Sequence, residues 1–167
     1  MEQQRFTAPS VETVAIVILL REDGASLLQL RDDKPGLAHA GRWGWPGGHC
    51  ESGETLEIGA RRELEEETGY VCQELHLVAR VEDRQPDDPR PPASFAVFWT
   101  RYDGRQRVEC REGQAMRFVS RKDAEASSMP TFLFPVWDQA LSAFQASQNA
   151  SGAMPTRCSE TSGASSP

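Results

Sequence analysis

The sequence predicts one domain of the mixed α/β class, of the α+β kind, in which short strands and two helices share a single core. Its 167 residues are enough for one well-packed domain and too few for two of ordinary size. Apolar runs of strand length are separated by turns rich in glycine, proline and aspartate. Two longer segments instead repeat apolar residues at helical spacing.

The predicted strands begin with a hairpin near the N-terminus. Residues 11–20 are apolar and β-branched, and residues 26–31 form the return strand after the turn Glu22-Asp23-Gly24. A short strand at residues 43–45 is expected to end at Pro46-Gly47-Gly48. Further strands are predicted at residues 74–80, 94–101, 107–109 and 115–119.

Two segments carry the apolar spacing of a helix. The clearer one spans residues 55–68 and is followed by Gly69, a residue that commonly ends helices. The second predicted helix spans residues 132–146. Apolar residues repeat every four positions in the first helix and predict its buried stripe at Leu56, Ala60 and Leu64.

The domain is predicted to span residues 10–146, between two segments with few apolar anchors. Residues 1–9 are expected to be a flexible N-terminus. Ser, Ala, Gly and Thr dominate residues 147–167, which we expect to be a disordered polar tail. The proline-rich segment 84–92 is predicted to be an exposed loop. The four cysteines form no C-x-x-C pair, so reduced thiols are expected.

The net charge of −7 limits the expected partners. A general nucleic-acid binder needs a basic surface, so we expect no nucleic-acid polymer as a partner. No apolar run approaches the roughly 18 residues that span a bilayer, and no secretion signal is seen, so we expect no membrane partner and a cytoplasmic location. A small phosphorylated ligand remains compatible with this charge, because a bound cation reverses the local field.

Three glutamates share one face of the first predicted helix. Glu63, Glu66 and Glu67 are spaced i, i+3 and i+4, and like charges at these spacings destabilise a helix by roughly a few tenths of a kcal/mol per pair. One interpretation is a solvated acidic face. The other is a cation site, since carboxylates gathered in a cleft need a cation, and oxygen ligands select hard ions such as Mg²⁺ or Mn²⁺.

A glycine-rich loop precedes this helix and favours the second interpretation. Gly47, Gly48 and Gly53 allow the backbone to approach a ligand closely. Free N–H groups and a partial positive charge at a helix N-terminus attract an anion. Together with Arg62, which lies within the acidic run, the loop predicts a metal–phosphate site.

The loop and the helix together resemble the signature of a known family. The motif spans residues 48–70, and the wider strand pattern extends the resemblance to about residues 10–146. The sequence is therefore similar to the Nudix hydrolase family, with a MutT-like Nudix box. The box, G-x5-E-x7-R-E-U-x-E-E-x-G-U with U apolar, is matched at every fixed position by Gly48, Glu54, Arg62-Glu63-Leu64, Glu66-Glu67 and Gly69-Tyr70.

The resemblance implies a Nudix α/β/α sandwich with a mixed central sheet. It also implies a loop–helix–loop that binds Mg²⁺ or Mn²⁺ and the diphosphate of a nucleoside diphosphate linked to a further group X, which family members hydrolyse. The group X would make the substrate an NTP or dNTP, a nucleotide sugar or a dinucleotide. Arg62 resembles the arginine that orients a box glutamate, Glu54 looks structural, and Gly48 and His49 are expected to contact substrate. The implied metal ligands are Glu63, Glu66, Glu67 and the Gly47 carbonyl.

The general base is expected to be a carboxylate. Glu66 or Glu67 fits this role, but family members also take the base from outside the box. Glu112, in a Glu-Gly-Gln sequence placed similarly in the 8-oxo-guanine-nucleotide branch, is therefore predicted to be catalytic and metal-binding, with Glu109 as the fallback. The alternative for Glu112 is a solvated loop residue. Arg31 is expected to bind phosphate, the alternative being a surface ion pair.

Substrate choice is expected to lie outside the helix. Phe132, Phe134 and Trp137 are predicted core residues, and one of them is a candidate wall for a nucleobase. Residues 129–135 lack the asparagine with which the 8-oxo-guanine branch reads guanine, which weakens a purine-sanitising assignment. His39 and His49 flank the glycine loop, and either is a candidate to touch substrate; the alternative, which is preferred for His39, is a histidine at the surface. The alternative to a hydrolase is a non-catalytic Nudix-fold module that binds nucleotide or a protein, and a homodimer is compatible with either.

Overall fold

A computed structural model of the chain describes residues 13–83 and 93–152. The predicted N-terminal segment, the loop at 84–92 and the tail beyond residue 152 lie outside the described residues. The strands are β1 (Thr13–Leu20), β2 (Ser26–Leu30), β3 (Trp43–Gly44), β4 (Gly47–His49), β5 (His76–Asp83), β6 (Ala93–Arg101) and β7 (Ala115–Val119). The helices are α1 (Leu56–Thr68), α2 (Arg121–Ala124) and α3 (Phe134–Gly152), with a 3₁₀ turn at Thr131–Leu133.

The strands form one seven-stranded mixed sheet. Its main order is β3-β2-β1-β6-β5, with β4 also paired to β1 and β7 to β2. Strands β1 and β6 run parallel, and the other pairs are antiparallel. The predicted first hairpin is present, with Leu20 opposite Ser26. The mixed central sheet is thus confirmed.

Strand β1 separates two hydrophobic layers, because successive side chains of a strand point to opposite faces. On one face Val17 belongs to a buried cluster with Ala60 and Leu64 of α1. On the other face Ile18 belongs to a cluster with Trp137 of α3. Burial of Val17, Leu64 and Ile18 contributes about 1.5–3 kcal/mol for each side chain. The sheet therefore lies between α1 and α3, which confirms the α/β/α sandwich.

The predicted short strand is present as β3 and ends before Pro46, but the strand that follows it was not predicted. Gly47–His49 is itself strand β4 and pairs with Val14–Ile16 of β1. Gly47 has φ 147°, and a Cβ at this position would collide with the Ala15 carbonyl. The glycines that were expected only to end a strand instead allow the backbones of β4 and β1 to approach closely.

Other elements also differ from the prediction, among them strand β5, which was predicted at residues 74–80 and spans His76–Asp83. Residues 107–109 are not a strand, because the Glu109 N–H bonds to the end of α1 through the Thr68 carbonyl (2.9 Å). Helix α3 continues past residue 146 to Gly152, so the expectation of a disordered tail is wrong for residues 147–152. Within this last part of the helix, Ser147 Oγ donates to the Phe144 carbonyl (2.6 Å). Helix α2 was not predicted. No helix in the described part of the chain is long and apolar enough to cross a membrane.

Candidate active site

Helix α1 is closed at both ends by its own sequence. Thr55 is the N-cap, and its Oγ1 accepts from the Ile58 N–H at 3.2 Å. Gly69 adopts φ 71° and its N–H donates to the Glu65 carbonyl at 2.7 Å, as predicted for the helix end. Ala60 and Leu64 are fully buried against the sheet. This buried stripe fixes the rotation of the helix and so the direction of its glutamates.

Glu67 is the most buried acidic residue at this surface, with 3% of it exposed. Its Oε2 accepts from the Gly47 N–H of β4 at 2.9 Å. Burial raises the pKa of Glu67 to about 8, and the nearby charges of Glu112 and Glu63 act in the same direction; the Gly47 hydrogen bond and the charge of Arg31 oppose them. The structure therefore places four other predicted site residues around the Glu67 carboxylate: Arg31, Gly47, Glu63 and Glu112.

Arg62 organises the two other glutamates of the acidic face. Its Nη1 donates to Glu63 Oε1 at 2.8 Å and to Glu66 Oε2 at 3.1 Å. Glu63 is mostly covered, with 16% of its side chain exposed, whereas 60% of the Glu66 side chain is exposed. Arg62 Nη2 also donates to the His49 carbonyl at 3.1 Å, which links the helix to β4.

Glu54 ties the glycine loop to the helix. Arg62 donates to both of its carboxylate oxygens, through Nε at 2.8 Å and Nη2 at 3.0 Å. The Glu51 N–H adds a third hydrogen bond at 2.8 Å. These bonds, that of Arg62 above all, lower the pKa of Glu54 to about 2. The geometry agrees with the structural role that the resemblance implied.

Gly48 lies directly against Glu63. A Cβ built at Gly48 would be 2.5 Å from Glu63 Oε2, so any larger residue would displace this carboxylate. His49 follows at the end of β4 and is exposed. Gly48 and His49, the predicted substrate contacts, thus border the acidic face. The absence of a side chain at Gly48 leaves the space that the Glu63 carboxylate occupies.

Glu112 lies in a loop that is held from two sides. The Arg111 N–H donates to the Glu67 carbonyl at 2.9 Å, at the end of α1. Gln29 Nε2 of β2 donates to the Glu112 carbonyl at 2.9 Å, and the Gln114 N–H donates to the Leu30 carbonyl at 2.8 Å. Glu112 is therefore placed between α1 and β2, next to Glu67.

The fallback carboxylate points elsewhere. Glu109 Oε2 accepts from Arg111 Nε at 3.2 Å, and Glu109 Oε1 lies 3.8 Å from Arg107 Nε. The charge of Glu109 is not among the causes of the shifted Glu67 pKa, whereas that of Glu112 is. The structure favours Glu112 over Glu109 as the carboxylate beside the acidic face.

Arg31 directly follows β2 and is half-buried. Its Nε donates to the Ala38 carbonyl at 3.0 Å, and its charge reaches Glu67. The alternative of an ordinary surface ion pair does not match this bond, since its partner is a carbonyl oxygen. This bond holds Arg31 at the edge of the acidic site.

Sequence reasoning missed two features. Gln29 is 2% exposed yet anchors the Glu112 loop, and the available signal was a polar residue in the apolar run Leu27-Leu28-Gln29-Leu30. His39, expected at the surface, pairs with Asp83 at 2.6 Å and is 18% exposed.

The three aromatic residues predicted for the core lie in it or against it. Trp137 is fully buried in the core, while Phe132 and Phe134 are partly buried against it.

The residues fit a divalent cation after a change of side-chain conformation. Within the described residues, no three His, Cys, Asp or Glu side chains are gathered closely enough to hold an ion. Arg62 draws Glu63 and Glu66 toward itself, and the Gly47 N–H holds Glu67. The carboxylates on this face of α1 are nevertheless the kind of oxygen donor that Mg²⁺ and Mn²⁺ prefer.

Comparison with known proteins identifies the class to which this fold and site belong. The sequence profile of the NUDIX domain matches residues 10–138. The solved structure of the MutT protein from Methanosarcina mazei Go1 superposes with a TM-score of 0.67, covering 81% of this chain and 95% of that chain at 20% identity. The chain belongs to the Nudix hydrolase family.

Curated relatives match over shorter stretches. The chain is 37% identical over 70 residues to putative nudix hydrolase 1 of Caenorhabditis elegans, which covers 42% of this chain and 19% of that protein. It is 50% identical over 42 residues to the mouse (Mus musculus) oxidized purine nucleoside triphosphate hydrolase, covering 25% of this chain and 27% of the relative. The chain thus spans less than a third of the length of either protein.

Proposed function

We propose that this protein hydrolyses a diphosphate linkage in a nucleoside diphosphate linked to a further group X, using Mg²⁺ or Mn²⁺. The observation that carries the proposal is the Glu67 carboxylate, buried where the charges of Glu63, Glu112 and Arg31 meet. A carboxylate that repels its neighbours in a buried position is costly unless a cation compensates it. The proposed metal ligands are Glu63, Glu66, Glu67, Glu112 and the Gly47 carbonyl.

The protein groups have separate tasks in the proposed reaction. A bound divalent ion would supply charge neutralisation for the diphosphate oxygens and a more acidic attacking water. Arg31 binds a phosphate oxygen from the end of β2. Arg62 orients Glu63 through the 2.8 Å hydrogen bond, and it holds β4 against the helix through its bond to the His49 carbonyl.

Glu112 is the proposed general base. It is exposed, so it can take a proton from a water molecule at the mouth of the site. Its backbone is fixed by Gln29, which leaves its carboxylate beside Glu67. Glu67 is the less suitable base, because its Oε2 is already occupied by the Gly47 N–H.

Nucleoside triphosphates are the first substrate class to test. The mouse relative is named for the hydrolysis of oxidized purine nucleoside triphosphates, and half of the 42 compared residues are identical. The base itself is a separate question, because residues 129–135 hold no asparagine. With a net charge of −7, a nucleotide-sized substrate is favoured over a nucleic-acid polymer.

A substrate panel tests the proposal. It comprises NTPs, oxidised dNTPs, nucleotide sugars and dinucleotides with Mg²⁺ or Mn²⁺, and products are identified as phosphate, pyrophosphate or nucleoside monophosphate. Glu67→Gln is expected to lower kcat by roughly a hundred-fold or more, as loss of a charge-stabilising group does. Glu65→Gln, at an exposed glutamate of the same helix, is the matched control. Tight nucleotide binding without turnover would instead indicate the non-catalytic module.

A further inference from the structure

The loop between β2 and β3 is tied to strand β5 by a histidine–aspartate pair. His39 Nε2 donates to Asp83 Oδ2 at 2.6 Å, and the two side chains are 18% and 12% exposed. A carboxylate-paired hydrogen bond that is largely shielded from water is stronger than an exposed ion pair. The pair joins two segments 44 residues apart in sequence.

His39 is also held by its backbone and its ring. Its φ is 53°, a left-handed conformation that residues with side chains seldom adopt, and the other positive-φ positions in the described residues are glycines. Its ring centroid lies 6.3 Å from that of Phe132, which in turn lies 6.4 Å from Phe95. The surrounding structure therefore fixes His39 in an unfavourable backbone conformation.

The same loop holds Arg31. The acceptor of the Arg31 Nε–H is the Ala38 carbonyl (3.0 Å), in the residue directly before His39. The Arg42 N–H donates to the His39 carbonyl at 3.1 Å, and the Arg31 N–H donates to the Arg42 carbonyl at 3.0 Å. A movement of His39 would therefore move the acceptor that aims the Arg31 guanidinium.

We infer that His39 is a positioning residue. Paired with Asp83, it holds the β2–β3 loop so that the Ala38 carbonyl directs Arg31 toward the phosphates of a bound nucleotide. Arg31 makes the phosphate contact, and His39 acts through it. This inference rests on the nucleotide-binding part of the proposed function.

Binding of a non-hydrolysable nucleotide tests it without turnover. The probe is α,β-methylene-ADP with Mg²⁺, measured by calorimetry on the full chain. His39→Asn keeps a residue that tolerates the left-handed backbone and removes the ring. We expect its Kd to rise roughly ten-fold, because small misplacements of a positioning group carry costs of this order. The control is His76→Asn, at a histidine in β5, the strand that also contains Asp83. This change breaks the exposed His76–Glu74 contact (3.6 Å) and is expected to leave Kd unchanged.

The double variant separates positioning from a general structural role. If His39 acts through Arg31, the variant with Arg31→Gln and His39→Asn binds no more weakly than Arg31→Gln alone. Asp83→Asn provides a second test of the same contact, in case His39→Asn folds poorly. In steady state, a positioning role raises KM while kcat stays within about two-fold.

Three results would overturn the inference: unchanged Kd in both His39→Asn and Asp83→Asn, additive losses in the double variant, or no binding of the probe to the wild type. A wild type that binds the probe with the expected coupling but hydrolyses no member of the panel would refute the proposed hydrolysis and leave the role of His39 intact.

Discussion

At the scale of single residues, Gly48 shows how a missing side chain makes room for a carboxylate. A Cβ at this position would be 2.5 Å from Glu63 Oε2. We predict that Gly48→Ala lowers kcat by at least about ten-fold, because the added methyl group occupies space that the Glu63 carboxylate uses. Steady-state kinetics with Mg²⁺ and the best substrate of the panel measures this effect.

Gly44→Ala is the matched control for this change. A Cβ at Gly44, in the neighbouring short strand β3, meets nothing within 4 Å. Its activity and Tm should therefore stay close to those of the wild type. Wild-type activity in Gly48→Ala would show that Glu63 has freedom that the structure does not suggest.

The residue pattern could place Glu63, Glu66 and Glu67 on one face, but it could not rank them. Helical spacing makes the three equivalent, whereas the structure buries Glu67, covers most of Glu63 and exposes Glu66. The difference arises from β4, which covers part of the helix and supplies the Gly47 N–H. Burial is a property of the packed neighbours and is not encoded in the local spacing.

At the scale of elements, the pair of Glu54 and Arg62 joins the glycine loop to α1 and makes stability depend on pH. The folded-state pKa of Glu54 is about 2, below the ordinary value of 4.5, chiefly because Arg62 donates to it. A lowered carboxyl pKa stabilises the fold above the unfolded-state value, and this contribution is lost as the pH falls from about 4.5 toward about 2.

We therefore predict that Glu54→Gln lowers Tm at about pH 6, and that its difference from the wild type shrinks as the pH falls toward 2.5. Calorimetry of both proteins over this range measures the difference. The other carboxyl groups titrate in both proteins, so the difference isolates Glu54. A difference in Tm that is constant over the range would contradict a stabilising charge pair.

The elements themselves were predictable where local patterns decide them. The apolar, β-branched run of β1, the four-residue stripe of α1 and the helix end at Gly69 each follow from chain-local chemistry, and each is present. The strand predicted at residues 107–109 is absent, and the Glu109 N–H pairs instead with the Thr68 carbonyl at the end of α1, which is distant in sequence. Strand β4 was not predicted because glycines are uncommon in strands, and its pairing depends on the backbone of β1.

At the scale of the whole molecule, the acidic residues proposed for function lower the stability of the metal-free fold. Glu67 is buried, and the charges of Glu63 and Glu112 disfavour its ionised form, which the Gly47 hydrogen bond and the charge of Arg31 offset only in part. Glu67→Gln removes the charge while its side-chain oxygen can still accept from the Gly47 N–H. In EDTA at about pH 8, where the wild-type carboxylate ionises, we predict that this variant has a higher Tm than the wild type although it is inactive.

Binding of Mg²⁺ should reverse that order, because a ligand that binds the folded state alone stabilises it by RT ln(1 + [L]/Kd), about 2.7 kcal/mol at a hundred-fold excess over Kd. The wild type and Glu65→Gln should gain in Tm on titration with Mg²⁺, and Glu67→Gln should gain little. Thermal unfolding with and without Mg²⁺ measures both effects on the same samples. If Glu67→Gln were less stable than the wild type in EDTA yet gained equally from Mg²⁺, Glu67 would be a structural carboxylate, and the metal would have to be held by the remaining glutamates.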